Sequence, residues 1–368
     1  NPMAGAKLKV GVIGAGMIAN AGHIPGWKSV SDHVEVVAMA NPNKAKAQLT
    51  ADNEGIAEVY DDWRQMLAEV EPDIVSVCTP NVFHREQAIA AFKVGAHVFC
   101  EKPIATCYGD AAAMYAAAEA ADRRLFVTQT ARFSSASMAA WEIAWSGQLG
   151  EMYYAECFFM RRRGIPTWGR FHMKEHSASG PLYDLGVHMV DKILWLMGSP
   201  KVIAASGATY TKFGNRDEGL ATSLAESGAP AGVLAPRPYS HEEFTVEDMA
   251  AGFLRLEGGA TMAVKTSWAA NIPENMGGNM ILGTEGGLNF DPLVLSKNVG
   301  SYQANVNPRV PQDLDVPFYG HWLAAEHFVR MLQGEEEEIV KKEEVLNVMR
   351  ALDALHRSAE DGCEVRVD

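Results

Sequence analysis

The sequence predicts an α/β protein of two domains: a parallel, doubly wound sheet, and then an α+β domain with a large mixed, mostly antiparallel open sheet. Two observations predict this class. Before residue 130, short β-branched runs alternate with helical stretches, which is typical of β-α-β units. After residue 131, longer strand-like runs are separated by turn signals such as "EGG". We therefore expect domains at residues 1–130 and 131–368.

The strands of the first domain are almost continuously apolar, which indicates that helices cover both faces of their sheet. These strands are expected at 9–14, 34–40, 73–78, 97–102 and 125–130. Helices are expected at 43–54, 62–70, 84–94 and 108–122.

In the second domain, one helix comes first and two helices come last. The strands are expected at 152–160, 202–211, 249–256, 260–268 and 279–283, and the helices at 136–146, 180–198, 320–333 and 342–360. The segment 214–243 is rich in Gly, Ala, Ser and Pro, so it is expected to be a long surface loop. Whether it is a lid, an oligomer contact or without function stays open.

Composition limits the possible partners. The chain has 368 residues, 48% of them hydrophobic, which is enough for two cores. Its net charge of -14 opposes binding to nucleic acid or to anionic membranes, and no apolar run approaches the roughly 20 residues of a membrane helix. The first residues, "NPMAGAK", lack the features of an export signal, and the five cysteines include no C-x-x-C pair. We expect reduced thiols and a cytoplasmic protein.

A glycine turn follows the first strand. "VGVIGAGMIAN" holds Gly14, Gly16 and Ala19 in a G-x-G-x-x-A pattern, in which the glycines allow a tight turn and close approach of a pyrophosphate. The pattern predicts binding of NAD(H) or NADP(H). The acidic residue expected after the second strand is replaced by Asn41, which carries no charge to repel a 2′-phosphate, while Lys44 or Lys46 could attract one. The choice of cofactor therefore stays open, and Asn41 could also cap the next helix.

Two further places hold ionisable groups that could carry chemistry. "CEKP" puts Lys102 at the carboxyl end of a strand, where ligands of such sheets lie, although a lysine there could simply reach solvent. "GPLYDLGVHMVDKILWLMG" puts Asp184 and His188 four residues apart on an apolar helix, with Asp191 three residues further on. A carboxylate at this spacing can orient an imidazole as a base. A helix cap plus a half-buried histidine is the structural alternative.

Together these motifs resemble the glucose-fructose oxidoreductase / inositol dehydrogenase (Gfo/Idh/MocA) family of sugar oxidoreductases. The resemblance rests on G-x-G-x-x-A, E-K-P and G-P-x-x-D-x-G-x-H-x-x-D in this order, and it extends to "TPNVFHREQAI" and the closing "EEVLNVMRALDALHRSAEDG". It implies a Rossmann domain, a mixed-sheet domain and an active site between them. The catalytic roles would fall on Lys102, Asp184 and His188, which would also contact the substrate. The cofactor-binding residues would be Gly14, Gly16, Met17, Ile18, Asn41, Thr79, Pro80, Asn81, His84, Glu101 and Lys102.

The segment 158–171 and the residues after it resemble a subgroup that acts on intact pyranosides, including oxidation of the glucosyl C3 hydroxyl in glycosides. Trp168 could stack on a sugar face, and Arg163 or Arg161 could contact hydroxyls. The arginines could equally be the solvated face of a strand. Tyr183, Tyr319 and His321 are secondary candidates. Where the family often has two glycines before the motif's proline, this chain has Ser179 before Gly180, which puts the fine shape of the substrate pocket in doubt.

The resulting hypothesis is a nicotinamide-dependent dehydrogenase acting on a sugar, glycoside or polyol. Two alternatives remain: an enzyme that retains NAD and cleaves glycosides without net redox change, and a non-catalytic nucleotide sensor, against which the proton-transfer residues argue. The family resemblance further implies a homo-oligomer, either a dimer or a tetramer. No metal is expected, because the histidines and carboxylates form no separate ligand cluster along the sequence.

Overall fold

Two sheets organise the residues that this computed structural model describes, which are 7–217 and 231–367. The first sheet has the order β3-β2-β1-β4-β5-β6, and all its pairings are parallel. This is the strand order of a dinucleotide-binding Rossmann sheet, so the expected fold class of the first domain is confirmed. Its strands are β1 (Leu8–Ile13), β2 (Val34–Ala40), β3 (Glu58–Tyr60), β4 (Ile74–Val77), β5 (His97–Cys100) and β6 (Leu125–Val127).

Helices connect these strands. They are α1 (Ile24–Ser29), α2 (Lys44–Glu54), α3 (Trp63–Val70), α4 (His84–Lys93) and α5 (Tyr108–Ala120). The boundaries of α2 follow from local chemistry: the Asn43 side chain accepts a hydrogen bond from the Lys46 amide, and Gly55 ends the helix with a φ of 74°. Strand β3 was not predicted, because its three residues are too few and too exposed to form an apolar run.

The second sheet has the order β14-β13-β12-β11-β7-β10-β9-β8-β15. Only the β7–β10 pair is parallel, so the expected mixed, mostly antiparallel sheet is confirmed. Its strands are β7 (Met152–Met160), β8 (Val202–Tyr210), β9 (Met249–Leu256), β10 (Thr261–Ser267), β11 (Met276–Gly283), β12 (Gly286–Phe290), β13 (Val294–Val299), β14 (Tyr302–Val306) and β15 (Val365–Arg366). The last four strands were not predicted, because they are short, rich in polar residues or glycine, and partly exposed.

Five helices accompany this sheet in the described residues, and they are α6 (Ser135–Trp145), α7 (Lys174–Ser177), α8 (Val187–Leu196), α9 (Tyr319–Gln333) and α10 (Lys342–Asp361). Helix α10 packs on β8, whereas α9 crosses back and packs on α1. A Cβ atom on Gly26 of α1 would lie 2.9 Å from the backbone oxygen of His321 in α9. The two helices therefore approach closely enough to bring His321 to the first sheet.

Two local features complete the description. None of the described helices is long and apolar enough to cross a bilayer. The predicted loop at 214–243 is only partly described, because residues 218–230 lie outside the described ranges. Its residues 231–240 form no helix or strand, and His241–Glu243 form a short 3-10 turn.

Candidate active site

The glycine turn lies at the carboxyl end of β1. Gly14 has a φ of +102°, and a Cβ atom there would lie 2.7 Å from the Cys78 carbonyl oxygen, so only glycine fits. A Cβ atom added to Gly16 would have no neighbouring atom within 4 Å, so the space beside Gly16 is open, as a pyrophosphate requires. Met17 and Ile18 follow, and residues Ala19–His23 form a π-helical turn before α1. The backbone thus fits a dinucleotide.

Asn41 lies beside this turn at the end of β2. Its Oδ1 accepts a hydrogen bond from the Ala15 amide at 3.3 Å, and its Nδ2 donates to the Asn43 carbonyl at 2.9 Å. Lys44 is exposed and Lys46 is half-buried, and burial lowers the pKa of Lys46. The amide that replaces the usual carboxylate is therefore fixed at the position where an adenosine ribose would bind.

The segment after β4 links the two domains. The Nδ2 of Asn81 donates to the Ser177 carbonyl at 3.0 Å, and the Thr79 hydroxyl donates to Gln87 at 2.6 Å. His84 is fully buried, with its ring nitrogens 2.8 Å from the Thr79 oxygen and 3.0 Å from the Pro103 oxygen. Its side chain therefore holds the turn that carries Thr79, Pro80 and Asn81.

Lys102, which follows β5, contacts Asp184, which lies in the turn before α8. The Lys102 Nζ lies 3.1 Å from the Asp184 Oδ1 and donates to the Asp184 backbone oxygen at 3.0 Å. Burial raises the pKa of Asp184, but the charges of Lys102 and Arg161, with hydrogen bonds, outweigh burial and hold that pKa below its usual value. These two residues lie 82 positions apart in the sequence, and the fold brings them together as an ion pair.

His188 is the second residue of α8, and Asp184 lies in the turn before that helix. A π-helical turn, Leu182–Gly186, precedes α8, so the Asp184–His188 spacing is not that of a regular α-helix. His188 has no hydrogen-bond partner in the described ranges. Burial first, and then the positive charge of Lys102, lower the pKa of His188 to about 3. The imidazole is therefore neutral at pH 7 and its nitrogens are free for a ligand.

Asp191 does not orient His188, so that expectation is wrong. Its carboxylate forms a buried bidentate pair with Arg132, at 2.6 and 2.8 Å, and Arg132 also binds Glu344. The reason is the tertiary partner: Asp191 is fully buried, and Arg132, from a different segment, binds both of its carboxylate oxygens.

Glu101, next to Lys102, is the centre of a buried cluster. Its Oε1 lies 2.8 Å from the Nε2 of His23 and 2.8 Å from the Nε2 of His321, and it accepts a hydrogen bond from the Thr128 hydroxyl at 2.7 Å. Burial raises the pKa of Glu101, yet its hydrogen bonds to the two histidines outweigh burial and hold it well below the usual value. Burial lowers the pKa of His23. The cluster joins the π-helical turn before α1, the residue after β5, and α9.

The view that no metal-ligand cluster exists needs correction. His23, Glu101 and His321 are a two-histidine, one-carboxylate set whose ligand atoms lie within 4.8 Å of one another. The sequence could not show this set, because His23 and His321 lie 298 positions apart and meet only through the packing of α9 on α1 and on the π-helical turn before it. Each ligand atom already has a hydrogen-bond partner within the set, so the cluster is complete without an ion.

The substrate-binding candidates of the second domain fall in different environments. The guanidinium of Arg163 donates to the Ala270 oxygen at 3.0 Å and lies over the Phe213 ring, so it connects the segments that carry Ala270 and Phe213. Arg161 is mostly buried, and its charge acts on Asp184. Trp168 is 7% exposed. The structure therefore brings Arg161, rather than Arg163, toward the Lys102–Asp184 pair.

Two residues that the sequence analysis missed hold Asp184 in place. The indole Nε1 of Trp268 donates to the Asp184 Oδ2 at 2.9 Å. The Glu247 carboxylate accepts from the Gly180 and Leu182 amides and from the Ser179 hydroxyl, the last at 2.7 Å. Ser179, the departure from the family pattern, thus adds a hydrogen bond to the start of this helix. No sequence signal marks Trp268, which lies 84 residues from its partner.

We expect Trp268→Phe to lower kcat about tenfold, because Asp184 loses a hydrogen bond to its charged form. The pKa of Asp184 rises, so the acid limb of the pH–kcat profile moves to higher pH. Trp322→Phe is the matched control, because the Trp322 Nε1 is buried without a hydrogen-bond partner in the described structure. Equal profiles for the two variants would show that Trp268 does not act on Asp184.

Comparisons with known proteins show the family of this chain. The family model described as "Oxidoreductase family, NAD-binding Rossmann fold" matches residues 8–129, and the GFO/IDH/MocA C-terminal domain matches residues 137–289. The D-glucoside 3-dehydrogenase of Escherichia coli K12 is 31% identical over 367 residues, covering 99% of each chain. The D-xylose 1-dehydrogenase (NADP(+)) 2 of Haloferax volcanii is 27% identical, covering 98% of this chain and 100% of the relative.

Among solved structures, a levoglucosan dehydrogenase in complex with NADH and levoglucosan superposes with a TM-score of 0.81. It is 22% identical, and the match covers 98% of this chain and 100% of that one. At this identity the likeness concerns the fold, and it extends over both sheets.

Proposed function

The chain belongs to the GFO/IDH/MocA family of oxidoreductases, and from this premise we propose that it transfers hydride between NAD(P) and a secondary hydroxyl, or the matching ketone, of a sugar, glycoside or polyol. One observation carries the proposal. A lysine of the first domain is paired at 3.1 Å with an aspartate of the second, beside a neutral histidine that has no protein partner in the described structure. A nucleotide sensor has no need of this arrangement.

We assign the cofactor to the glycine turn. Gly14, Gly16 and the first helical turn at Met17 and Ile18 would hold the pyrophosphate, and Asn41 would face the adenosine ribose. When bound, the nicotinamide supplies the hydride acceptor or donor at its C4. Because Asn41 carries no charge, both NAD and NADP fit this proposal.

The protein's own residues handle the proton. In the oxidation direction the imidazole of His188 accepts the hydroxyl proton. Burial and the charge of Lys102 lower its pKa, so the imidazole is neutral and can accept a proton before the substrate binds. The ammonium of Lys102, oriented by Asp184, donates a hydrogen bond to the same substrate oxygen and stabilises the negative charge that develops there. In the reduction direction His188 returns the proton to that oxygen.

We further propose that the substrate is a glycoside and that the oxidised carbon is C3 of a glucosyl unit. The support is the relative named D-glucoside 3-dehydrogenase, which aligns with this chain over 99% of both lengths. Arg161, whose charge acts on Asp184, would contact a neighbouring hydroxyl. Trp168 stays a proposed sugar contact, and it packs against Phe171 at a ring distance of 5.7 Å.

We propose a homo-oligomer, a dimer or a tetramer, in the cytoplasm, with residues 1–130 and 131–368 as its two domains. The second sheet exposes large apolar side chains that a partner subunit would cover: Tyr153, Met276, Val299 and Tyr302, of which Tyr302 is 80% exposed. A mass in solution equal to one chain would overturn the oligomer.

The proposed activity predicts reduced nicotinamide in a substrate panel. The purified protein is mixed with glucosides, free sugars and inositols, each with NAD, with NADP and without added cofactor, and absorbance of the reduced nicotinamide is recorded. We expect reduction with glucosides, accompanied by a keto product at C3. Consumption of a glycoside without reduction of the nicotinamide would indicate the redox-neutral enzyme instead. If neither reduced nicotinamide nor consumption of a glycoside is detected, the proposed dehydrogenase activity is wrong.

A further inference from the structure

A stretch of the second domain is seated on the first helical turn of the first domain. Gly232 has a φ of +79°, and a Cβ atom there would lie 2.5 Å from the Met17 backbone oxygen and 2.9 Å from the Ala21 amide nitrogen. The Nδ2 of Asn20 donates to the Gly232 backbone oxygen at 3.0 Å. No side chain fits at this position, so the contact is made by backbone.

The same asparagine is fixed from its other side. Its Oδ1 accepts a hydrogen bond from the Thr50 hydroxyl at 2.9 Å, and Thr50 is fully buried in α2. Because Thr50 fixes the Asn20 Oδ1, the Nδ2 of the same amide points toward Gly232. The Asn20 side chain is thus held by hydrogen bonds from both ends of its amide.

The stretch is also anchored in the second domain. The Arg237 amide donates to the Trp168 backbone oxygen at 2.9 Å, and the Arg237 guanidinium forms a bidentate ion pair with Glu243 at 2.5 and 2.7 Å. Residues 231–237, which we call the strap, thus run from the helical turn after the glycine turn to the segment that carries Trp168.

The Gly232 contact lies at the amino end of the first helix of the first domain. In a Rossmann domain the amino end of this first helix faces the pyrophosphate of the dinucleotide. Met17 and Ala21 belong to that end, three and seven residues after Gly14. A backbone segment seated there lies beside the route by which the pyrophosphate enters and leaves.

We propose that the strap is part of the dinucleotide site and encloses the bound cofactor, so that cofactor exchange requires the Gly232 contact to open. This inference rests on the proposed use of NAD(P). It implies that loosening the strap speeds both association and release, and changes the dissociation constant less than either rate. It also links the cofactor to the sugar, because the far end of the strap holds the Trp168 backbone.

Release of NADH, or of NADPH if that form binds, tests the strap without any substrate. The protein is loaded with the reduced dinucleotide, mixed rapidly with excess oxidised dinucleotide, and followed by nicotinamide fluorescence. We expect Gly232→Val and Asn20→Ala to raise the release rate about tenfold, the effect of losing one hydrogen bond and its backbone contact. Asn20→Ala leaves the strap backbone unchanged, so the test survives if Gly232→Val fails to fold.

Gly258→Val is the matched control, because Gly258 has a φ of +82° and an added Cβ there meets no atom within 4 Å. It carries the same backbone strain without the contact, and its release rate should equal that of the unaltered protein. If the Gly232→Val and Asn20→Ala proteins both release the reduced dinucleotide at the rate of the Gly258→Val protein, the strap does not enclose the cofactor. Absence of dinucleotide binding in the unaltered protein would overturn the proposed function, and with it this inference.

Discussion

Lys102→Met lowers kcat by about 10³-fold, because the substrate oxygen loses the ammonium that stabilises its developing charge. Methionine keeps the length of the side chain, so packing in the cleft changes little. The dissociation constant of the reduced dinucleotide, measured by fluorescence titration, should stay within a few-fold of the unaltered value. The loss therefore appears in the chemical step, as single-turnover kinetics would show.

The same variant has a second signature in its pH profile. Burial and the Lys102 charge together hold the pKa of His188 at about 3. Removing the charge raises this pKa toward the ordinary value of 6.5, so the residual oxidation rate should begin to fall at higher pH as the medium is acidified. Lys28→Met, at an exposed ion pair with Glu54, is the control. A kcat within tenfold of normal would exclude Lys102 from the reaction.

Glu101→Gln lowers the free energy of unfolding by about 3 kcal/mol at pH 7, because two buried imidazoles and the Thr128 hydroxyl lose a carboxylate acceptor. The thermal midpoint should fall by about 4 °C. Since the pKa of Glu101 is lowered in the folded protein, its stabilisation is complete above the ordinary value of 4.5 and is lost as the pH falls below it. The difference between the two proteins should therefore shrink in acid.

Glu86→Gln is the control for this variant. Glu86 pairs with Arg64, and both side chains are exposed, so its loss should change the midpoint very little. Equal midpoints for the two variants would contradict the role of Glu101 as the centre of the cluster. Metal analysis of the purified protein is an independent test. A stoichiometric ion would show that His23, Glu101 and His321 bind a metal rather than one another.

The local signals in the sequence were sufficient for the first domain and for the motifs. Apolar runs predicted five of the strands of the first sheet, and the G-x-G-x-x-A pattern predicted the turn that only glycine can form at Gly14. The edge strands β3, β14 and β15 were not predicted, because they are short and partly exposed and carry no continuous apolar run. The inner strands β12 and β13 were not predicted either, because glycine and polar residues interrupt their apolar positions.

The sequence by itself determined the fold class, the family and the residues Lys102, Asp184 and His188 as candidates, since these depend on patterns between near neighbours in the chain. Tertiary structure alone decided which side chains meet. It turned Asp191 toward Arg132, gave Asp184 the Trp268 donor, and placed His321 on Glu101. These contacts join residues 59 to 220 positions apart, and the physical reason is that sheet order and helix packing, which bring such residues together, leave no local pattern in the sequence.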